Sequence, residues 1–232
     1  FEVADMNAVY LPIPIPPEWE HLKATFLELF HCEHLNFAGA SITLPHKTNM
    51  LKLVKELHGS INNLCSEIGA TNTVTMNDGS IQATNTDASA ISTLLQGADR
   101  VLVLGGGGAA RAAIWAMANQ GATVYVSTRN KEQAKTLASE LPCTEHDDSI
   151  QDINAIINCT PIGMQGTDAQ NEDAALLLAS NIQFQPPLIV FDSVYLPTET
   201  PMMIRAKEAG CKTVTGGEMF RLQATLQQKL WS

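Results

Sequence analysis

From about Asp99 onward, short apolar runs alternate with longer segments whose apolar residues recur at helical spacing. Val101 to Leu104, Thr123 to Ser127, Ala155 to Asn158, Leu188 to Phe191 and Lys212 to Val214 read as strands, most of them continuously apolar, as strands covered on both faces must be. Between the first two, Ala109 to Gln120 is alanine-rich, with Ile114, Trp115 and Met117 as apolar contacts, and Gly121 stands where a helix C-terminal glycine is expected. Strand, helix and strand in repeated succession predict a parallel sheet with helices on its faces.

The first part of the chain has a different texture. Ala8 to Ile15 is an extended run, Pro17 to about Phe30 carries a helical pattern, and Gly39 to Thr43 is strand-like. Pro45 is expected to open a helix running to about His58, because proline suits the first helical position. Thr73 to Met76 and Ser80 to Thr84 flank Asn77-Asp78-Gly79, a hairpin signal, since Asp-Gly tolerates the positive φ angles of tight primed turns. A helix after Asp87 would bridge into the second part, and the proline-rich Leu11 to Pro17 and Gln185 to Pro187 read as loops. The pattern predicts an α/β protein of two lobes with a cleft between them.

Composition narrows the partners. Lys and Arg total 14 against 24 Asp and Glu in 232 residues, a formal charge of −10 that disfavours nucleic acid and anionic membrane surfaces. With 45% hydrophobic and 16% charged residues, the chain reads as a soluble globular protein. Its five cysteines are odd in number and scattered, without a C-x-x-C pair, so no metal site is expected and a reducing, cytoplasmic setting is. No apolar run approaches the roughly 18 residues of a membrane span.

One turn carries nucleotide chemistry. Gly105-Gly106-Gly107-Gly108-Ala109-Ala110 follows an apolar strand and opens a helix, the context in which a G-x-G-x-x-G/A pattern is informative. Glycines allow the tight turn and let backbone N–H groups approach a pyrophosphate, which the helix N-terminus also attracts. A site for NAD usually places Asp or Glu at the end of the next strand, to hold the ribose 2′-hydroxyl. Here that segment reads Ser127-Thr128-Arg129-Asn130-Lys131, without a carboxylate and with two cations. Arg129 suits a 2′-phosphate through a planar, bidentate contact, so the expected cofactor is NADP.

Other residues are bland singly. Ser41-Ile42-Thr43-Leu44-Pro45-His46-Lys47 puts a lysine at a helix start, where a cation faces the positive end of the helix dipole, and an exposed lysine without a role is the plainer reading. Asn72, within Ala70-Thr71-Asn72-Thr73-Val74, is most economically a turn or strand-edge residue, and Asp87, within Thr84-Asn85-Thr86-Asp87, a helix N-cap. Taken together with the glycine turn, Asn158-Cys159-Thr160-Pro161-Ile162-Gly163-Met164, Asp192-Ser193-Val194-Tyr195-Leu196-Pro197 and Gly217-Glu218-Met219-Phe220-Arg221-Leu222-Gln223-Ala224, these segments resemble the shikimate dehydrogenase family from about Asn7 to Trp231.

The resemblance implies a substrate lobe formed by residues 1–88 plus 218–232, and a Rossmann-type NADP lobe formed by residues 89–217. It implies interconversion of 3-dehydroshikimate and shikimate, in the pathway to the aromatic amino acids. In the family's V-T-x-P-x-K motif the lysine is one of the catalytic pair, here Lys47, and the threonine, here Thr43, helps bind substrate. The aspartate of the N-T-D motif, here Asp87, is the lysine's partner and touches the same substrate hydroxyl. Asn72 and Gln223 are implied at ring hydroxyls and Tyr195 beside the substrate. On the cofactor side the residues are Gly105, Gly106, Gly107, Gly108 and Ala109 at the pyrophosphate, and Thr128, Arg129 and Asn130 at the 2′-phosphate. Thr160, Gly163, Met164, Gly217 and Met219 border the cofactor elsewhere, although Met164 and Met219 suit core packing equally well.

The sequence departs from the family in three places. The S-x-S-P strand that holds the substrate carboxylate has no counterpart after Phe1, Ala88 and Ala90 replace two glycines usual after N-T-D, and Gln133 stands where a second arginine often helps hold the 2′-phosphate. Three rivals are distinguishable. A quinate-preferring or NAD-using relative would keep the same pair, a metabolite-sensing homologue would have lost it, and a methylene-tetrahydrofolate dehydrogenase leaves the Asn72 and Asp87 motifs unexplained.

Overall fold

The computed structural model describes residues 7–147, 149–150, 152–179 and 181–231. Six parallel strands make the larger sheet: β5 (Arg100–Leu104), β6 (Thr123–Ser127), β7 (Thr144–Glu145), β8 (Ala155–Asn158), β9 (Ile189–Asp192) and β10 (Lys212–Val214). Their spatial order is β10-β9-β8-β5-β6-β7, so the winding direction reverses between β5 and β8. Successive residues of β5 face opposite ways: Val101 and Val103 enter one apolar cluster, Leu102 and Leu104 the other. Both faces are therefore covered, which is why these strands lack polar alternation. The covering helices are α5 (Gly108–Ala118), α6 (Lys131–Glu140), α7 (Ala174–Leu178) and α8 (Pro201–Glu208).

A smaller sheet is built from β1 (Gly39–Ser41), β2 (Ser60–Ile61), β3 (Thr73–Asn77) and β4 (Ser80–Thr84), in the order β1-β3-β4-β2. The β3–β4 hairpin closes through Asp78 at φ 49° and Gly79 at φ 71°, the positive pair that the sequence predicts. Helices α1 (Trp19–His31) and α2 (Lys47–Glu56) bury Leu22, Phe26, Met50, Leu53 and Val54 against Ile42, Val74 and Ile81. The segment from Ala8 to Ile15 is irregular and flanks, with β1 and α1, a groove of about 1040 Å³.

Three helices tie the sheets together: α3 (Asn63–Ile68), α4 (Thr86–Leu94) and α9 (Gly216–Trp231). Ile68 and Ala70 share one buried cluster with Ala88 and Ile91 of α4, with Ala112, Ala113 and Ala116 of α5, and with Met219 of α9. Of the residues expected in the first lobe, 1–6 and 232 lie outside the described residues. No helix among the described residues is long and apolar enough to cross a membrane.

Two helix starts differ from expectation. Pro45 does not open α2: the His46 N–H donates to the Thr43 carbonyl at 2.9 Å, closing a turn that contains Pro45, and the helix begins at Lys47. Asp87 is not the cap of α4. Asn85 takes that role, its side chain accepting from the Ala88 N–H at 3.2 Å, because the cap must precede the first helical residue and Asp87 already lies in the first turn. Freed from capping, the Asp87 carboxylate points elsewhere.

Candidate active site

Lys47 opens α2 and Asp87 lies in the first turn of α4, and their side chains meet: Lys47 Nζ is 2.6 Å from Asp87 Oδ2. Their side chains are only 16% and 5% exposed, so each charge depends on the other for the solvation it has lost. Backbone anchoring holds the lysine as well, since its carbonyl accepts the Thr71 N–H at 3.0 Å. The second Asp87 oxygen, Oδ1, accepts from Asn72 Nδ2 at 2.9 Å, and the same amide donates to Thr86 Oγ1 at 2.9 Å. Asn72 Oδ1 in turn accepts the Thr86 N–H and the Thr73 hydroxyl, both at 2.8 Å. Gln223 of α9 closes the network, its Oε1 receiving the Thr86 hydroxyl at 3.4 Å. One turn further along, Gln227 donates to Thr73 Oγ1 at 2.9 Å and to Ser41 Oγ at 3.0 Å. Asn72, Thr86, Asp87, Gln223 and Gln227 are all buried, so the network is a preorganised, water-poor polar patch.

Facing this patch is the carboxyl end of the parallel sheet. Gly105 leaves β5 at φ 108°, and a Cβ there would lie 2.9 Å from Thr160 Cγ2, so the turns after β5 and β8 touch. Gly107 precedes α5 as its N-cap with no side-chain cap, and its outer side is open space. The first N–H groups of α5 are thus left for an incoming acceptor, and a Cβ there would fill the room for it. At the end of β6, the Thr128 hydroxyl donates to the Asn130 carbonyl at 2.6 Å, and Asn130 caps α6. The Arg129 and Lys131 side chains are exposed and make no hydrogen bond or ion pair with the described residues. Gln133 donates to the Gly106 carbonyl at 3.2 Å, so it lies over the glycine turn. Two strand ends separated by a reversal of winding, an uncapped helix start and two uncommitted cations fit a phosphorylated dinucleotide.

The turns that border this space are braced from beneath. Asn158, at the end of β8, accepts the Thr160 N–H at 3.0 Å and hydroxyl at 2.7 Å, and donates to Asp192 Oδ1 at 3.0 Å. Asp192, at the end of β9, also accepts the Val194 N–H at 3.0 Å and the Thr200 hydroxyl at 2.6 Å. Burial pushes the Asp192 carboxyl up to about 6, with those three donors opposing the rise. Between the two halves sits Cys159. Burial drives its thiol well above the ordinary range, the Lys47 charge pulls it back, and the charges of Asp87 and Asp192 add to the rise.

The structure thus brings Lys47, Asp87, Asn72 and Gln223 into one hydrogen-bonded group, with Gly108 against the Lys47 stem. Other expected residues stand apart from it. Thr43 is exposed and makes no side-chain hydrogen bond among the described residues. Tyr195 is 51% exposed and stacks on Phe220, ring centroids 5.2 Å apart. Gly163 turns at φ 88° against Thr200, Met164 is half-buried, a Cβ on Gly217 would lie 3.8 Å from Thr215 Oγ1, and Met219 packs into the core. Sequence reasoning missed Thr86, Gln227, Asp192 and the brace around Asn158. For Thr86 and Gln227 a signal existed, being a hydroxyl beside Asp87 and a glutamine one helical turn after Gln223.

Comparisons with known proteins identify the family. Residues 1–74 match the family model of the shikimate dehydrogenase substrate binding domain, and residues 88–183 that of shikimate / quinate 5-dehydrogenase. A shikimate dehydrogenase (NADP(+)) of Ignicoccus hospitalis is 33% identical over 240 residues, covering 100% of this chain and 84% of that relative. Among solved structures, shikimate dehydrogenase from Aquifex aeolicus superposes with a TM-score of 0.84 at 30% identity, covering 100% of this chain and 84% of the other. Shikimate 5-dehydrogenase from Thermus thermophilus in complex with NADP(H) and shikimate gives 0.77 at 28% identity, over 92% and 78% of the two chains. Matched in both halves and aligned along its whole length, the chain belongs to the shikimate dehydrogenase family.

Proposed function

We propose that this chain is an NADP-dependent shikimate dehydrogenase, reducing 3-dehydroshikimate reversibly to shikimate in the pathway to the aromatic amino acids. The observation that carries the reading is the 2.6 Å Lys47–Asp87 pair, enclosed by Asn72, Thr86 and Gln223 opposite an uncapped glycine turn. A sensing homologue has no use for an intact proton-transfer pair.

NADPH supplies a hydride to the ketone carbon when bound. Lys47 holds a proton at Nζ, within reach of an oxygen placed over the pair, and donates it, or stabilises the charge, as that oxygen becomes anionic. Asp87 keeps the ammonium aimed and accepts from the hydroxyl that results. Asn72 and Gln223 orient neighbouring ring hydroxyls, with Thr43 and Tyr195 at the open side. The lobe of residues 1–88 and 218–232 supplies this half of the cleft through its described residues, 7–88 and 218–231. In residues 89–217, Gly105, Gly106, Gly107 and Ala109 hold the pyrophosphate, Thr128, Arg129 and Asn130 the 2′-phosphate, and Thr160 and Gly163 line the nicotinamide side. Five unpaired cysteines suit a reducing cytoplasm.

Lys47→Ala tests the reading directly. It should lower kcat by about 10²- to 10⁴-fold with NADPH affinity held within about twofold, and a kcat near wild type would remove Lys47 from the chemistry. Rates with NADPH and NADH, each against 3-dehydroshikimate and 3-dehydroquinate, separate this activity from a quinate- or NAD-preferring one.

A further inference from the structure

Four consecutive glycines suggest a single cause, yet their surroundings differ. Gly105 adopts φ 108°, a conformation L side chains rarely take, Gly106 faces the flexible end of Gln133, and Gly107 faces open space. Gly108 has none of these circumstances. It is the first residue of α5, and no positive φ requires a glycine there. Helix propensity alone favours alanine at such a position by up to about 1 kcal/mol. What a Cβ on Gly108 would meet is Lys47: its Cβ at 2.5 Å, Cδ at 3.1 Å and Cγ at 3.3 Å. These atoms are the root of the side chain, and cannot swing aside as a flexible tip would. The Lys47 carbonyl is held by the Thr71 N–H, and its Nζ by Asp87.

We infer that Gly108 is a positioning residue for Lys47. Its missing side chain lets the first turn of the dinucleotide-side helix press on the lysine stem, which keeps Nζ at Asp87. In the G-x-G-x-x-A pattern Gly105 and Gly107 are the first two glycines and Ala110 takes the third place, so Gly108 fills a position where the cofactor turn itself asks for no glycine. Here it serves the opposite half of the cleft. The contact stands on geometry alone, while its effect on turnover rests on the function proposed above.

Gly108→Ala separates the two roles. The variant should lose at least about tenfold in kcat, bind NADPH within about twofold of wild type by fluorescence titration, and expose Lys47 to faster acetylation by acetic anhydride, read by peptide mass spectrometry. It should also melt several degrees lower, and that loss should vanish when Gly108→Ala is made in a Lys47→Gly background, which removes the obstructed Cβ. If Gly108→Ala does not fold, recovery of folding in the double variant supports the inference, and a double variant equally unfolded overturns it. Unchanged Lys47 acetylation together with weakened NADPH binding would also overturn it, returning Gly108 to the cofactor. A wild type that does not turn over 3-dehydroshikimate defeats the proposed reaction only, because acetylation and melting still decide the contact.

Discussion

Among the described residues the buried Asp192 carboxylate meets three donors and no cation, and burial pushes it up to about 6, above the ordinary carboxylate value of about 3.9. The folded chain therefore holds this proton more tightly than the unfolded chain. Its contribution to stability is full below about pH 4 and is lost as pH rises through about 6. Asp192→Asn removes the dependence, so urea unfolding from about pH 4 to 7 should show the variant gaining on wild type with rising pH, by roughly 3 kcal/mol at most. A difference that does not change with pH would contradict it. Arg129 is governed by charge complementarity at the surface. Arg129→Ala should raise KM for NADPH about tenfold and leave KM for NADH unchanged, in steady-state assays. At this scale the site was only partly legible. Lys47, Asn72, Asp87 and Gln223 could be found because the spacing of several motifs resembles one family. The bond between Asp192 and Asn158 and the contact of Gly108 with Lys47 could not, because the partners lie 34 and 61 positions apart and the segments that contain Asp192 and Gly108 do not point to them.

Elements were most legible where a single force decides them. Thr123–Ser127 and Ala155–Asn158 are strands at the expected boundaries, since a sheet buried on both faces needs uninterrupted apolar runs. The β3–β4 hairpin follows from Asp78-Gly79 for an equally local reason. Helix starts were less legible, because several residues can cap and the chain selects by geometry: Asn85 over Asp87, and Lys47 after a turn that absorbs Pro45. The α9 helix matters beyond its own length. Gln227 donates to Ser41, Thr73 and the Asn72 carbonyl, so it fastens α9 to β1 and β3 beneath the Lys47–Asp87 pair. Gln227→Leu strands buried acceptors at about 1–3 kcal/mol and should lower Tm by roughly 2–4 °C per kcal/mol in calorimetry, with KM for 3-dehydroshikimate rising as Asn72 loses its support. An unchanged Tm would show that this helix is held by its apolar face alone.

Across the whole molecule, the two sheets are distinct in topology yet joined by one apolar cluster that runs from Ile68 and Ala70 through α4 and α5 to Met219. Neither side can lose its packing without exposing the other. Thermal unfolding is expected as a single transition whose calorimetric and van't Hoff enthalpies agree, and two resolved transitions would mean that the shared cluster does not couple the halves. The sequence indicated two lobes through their different textures, but not this shared core, since alanines such as Ala88 and Ala112 carry no sign of what they pack against. The return of α9 also orders events in time. Gln227 and Asn72 are 155 positions apart, and all six strands of the larger sheet are made between them. A chain emerging from the ribosome has therefore completed its nucleotide-side sheet while the cluster around Asp87 still lacks Gln223 and Gln227. In chain order, every strand of the larger sheet precedes the two glutamines that complete the cluster around the Lys47–Asp87 pair.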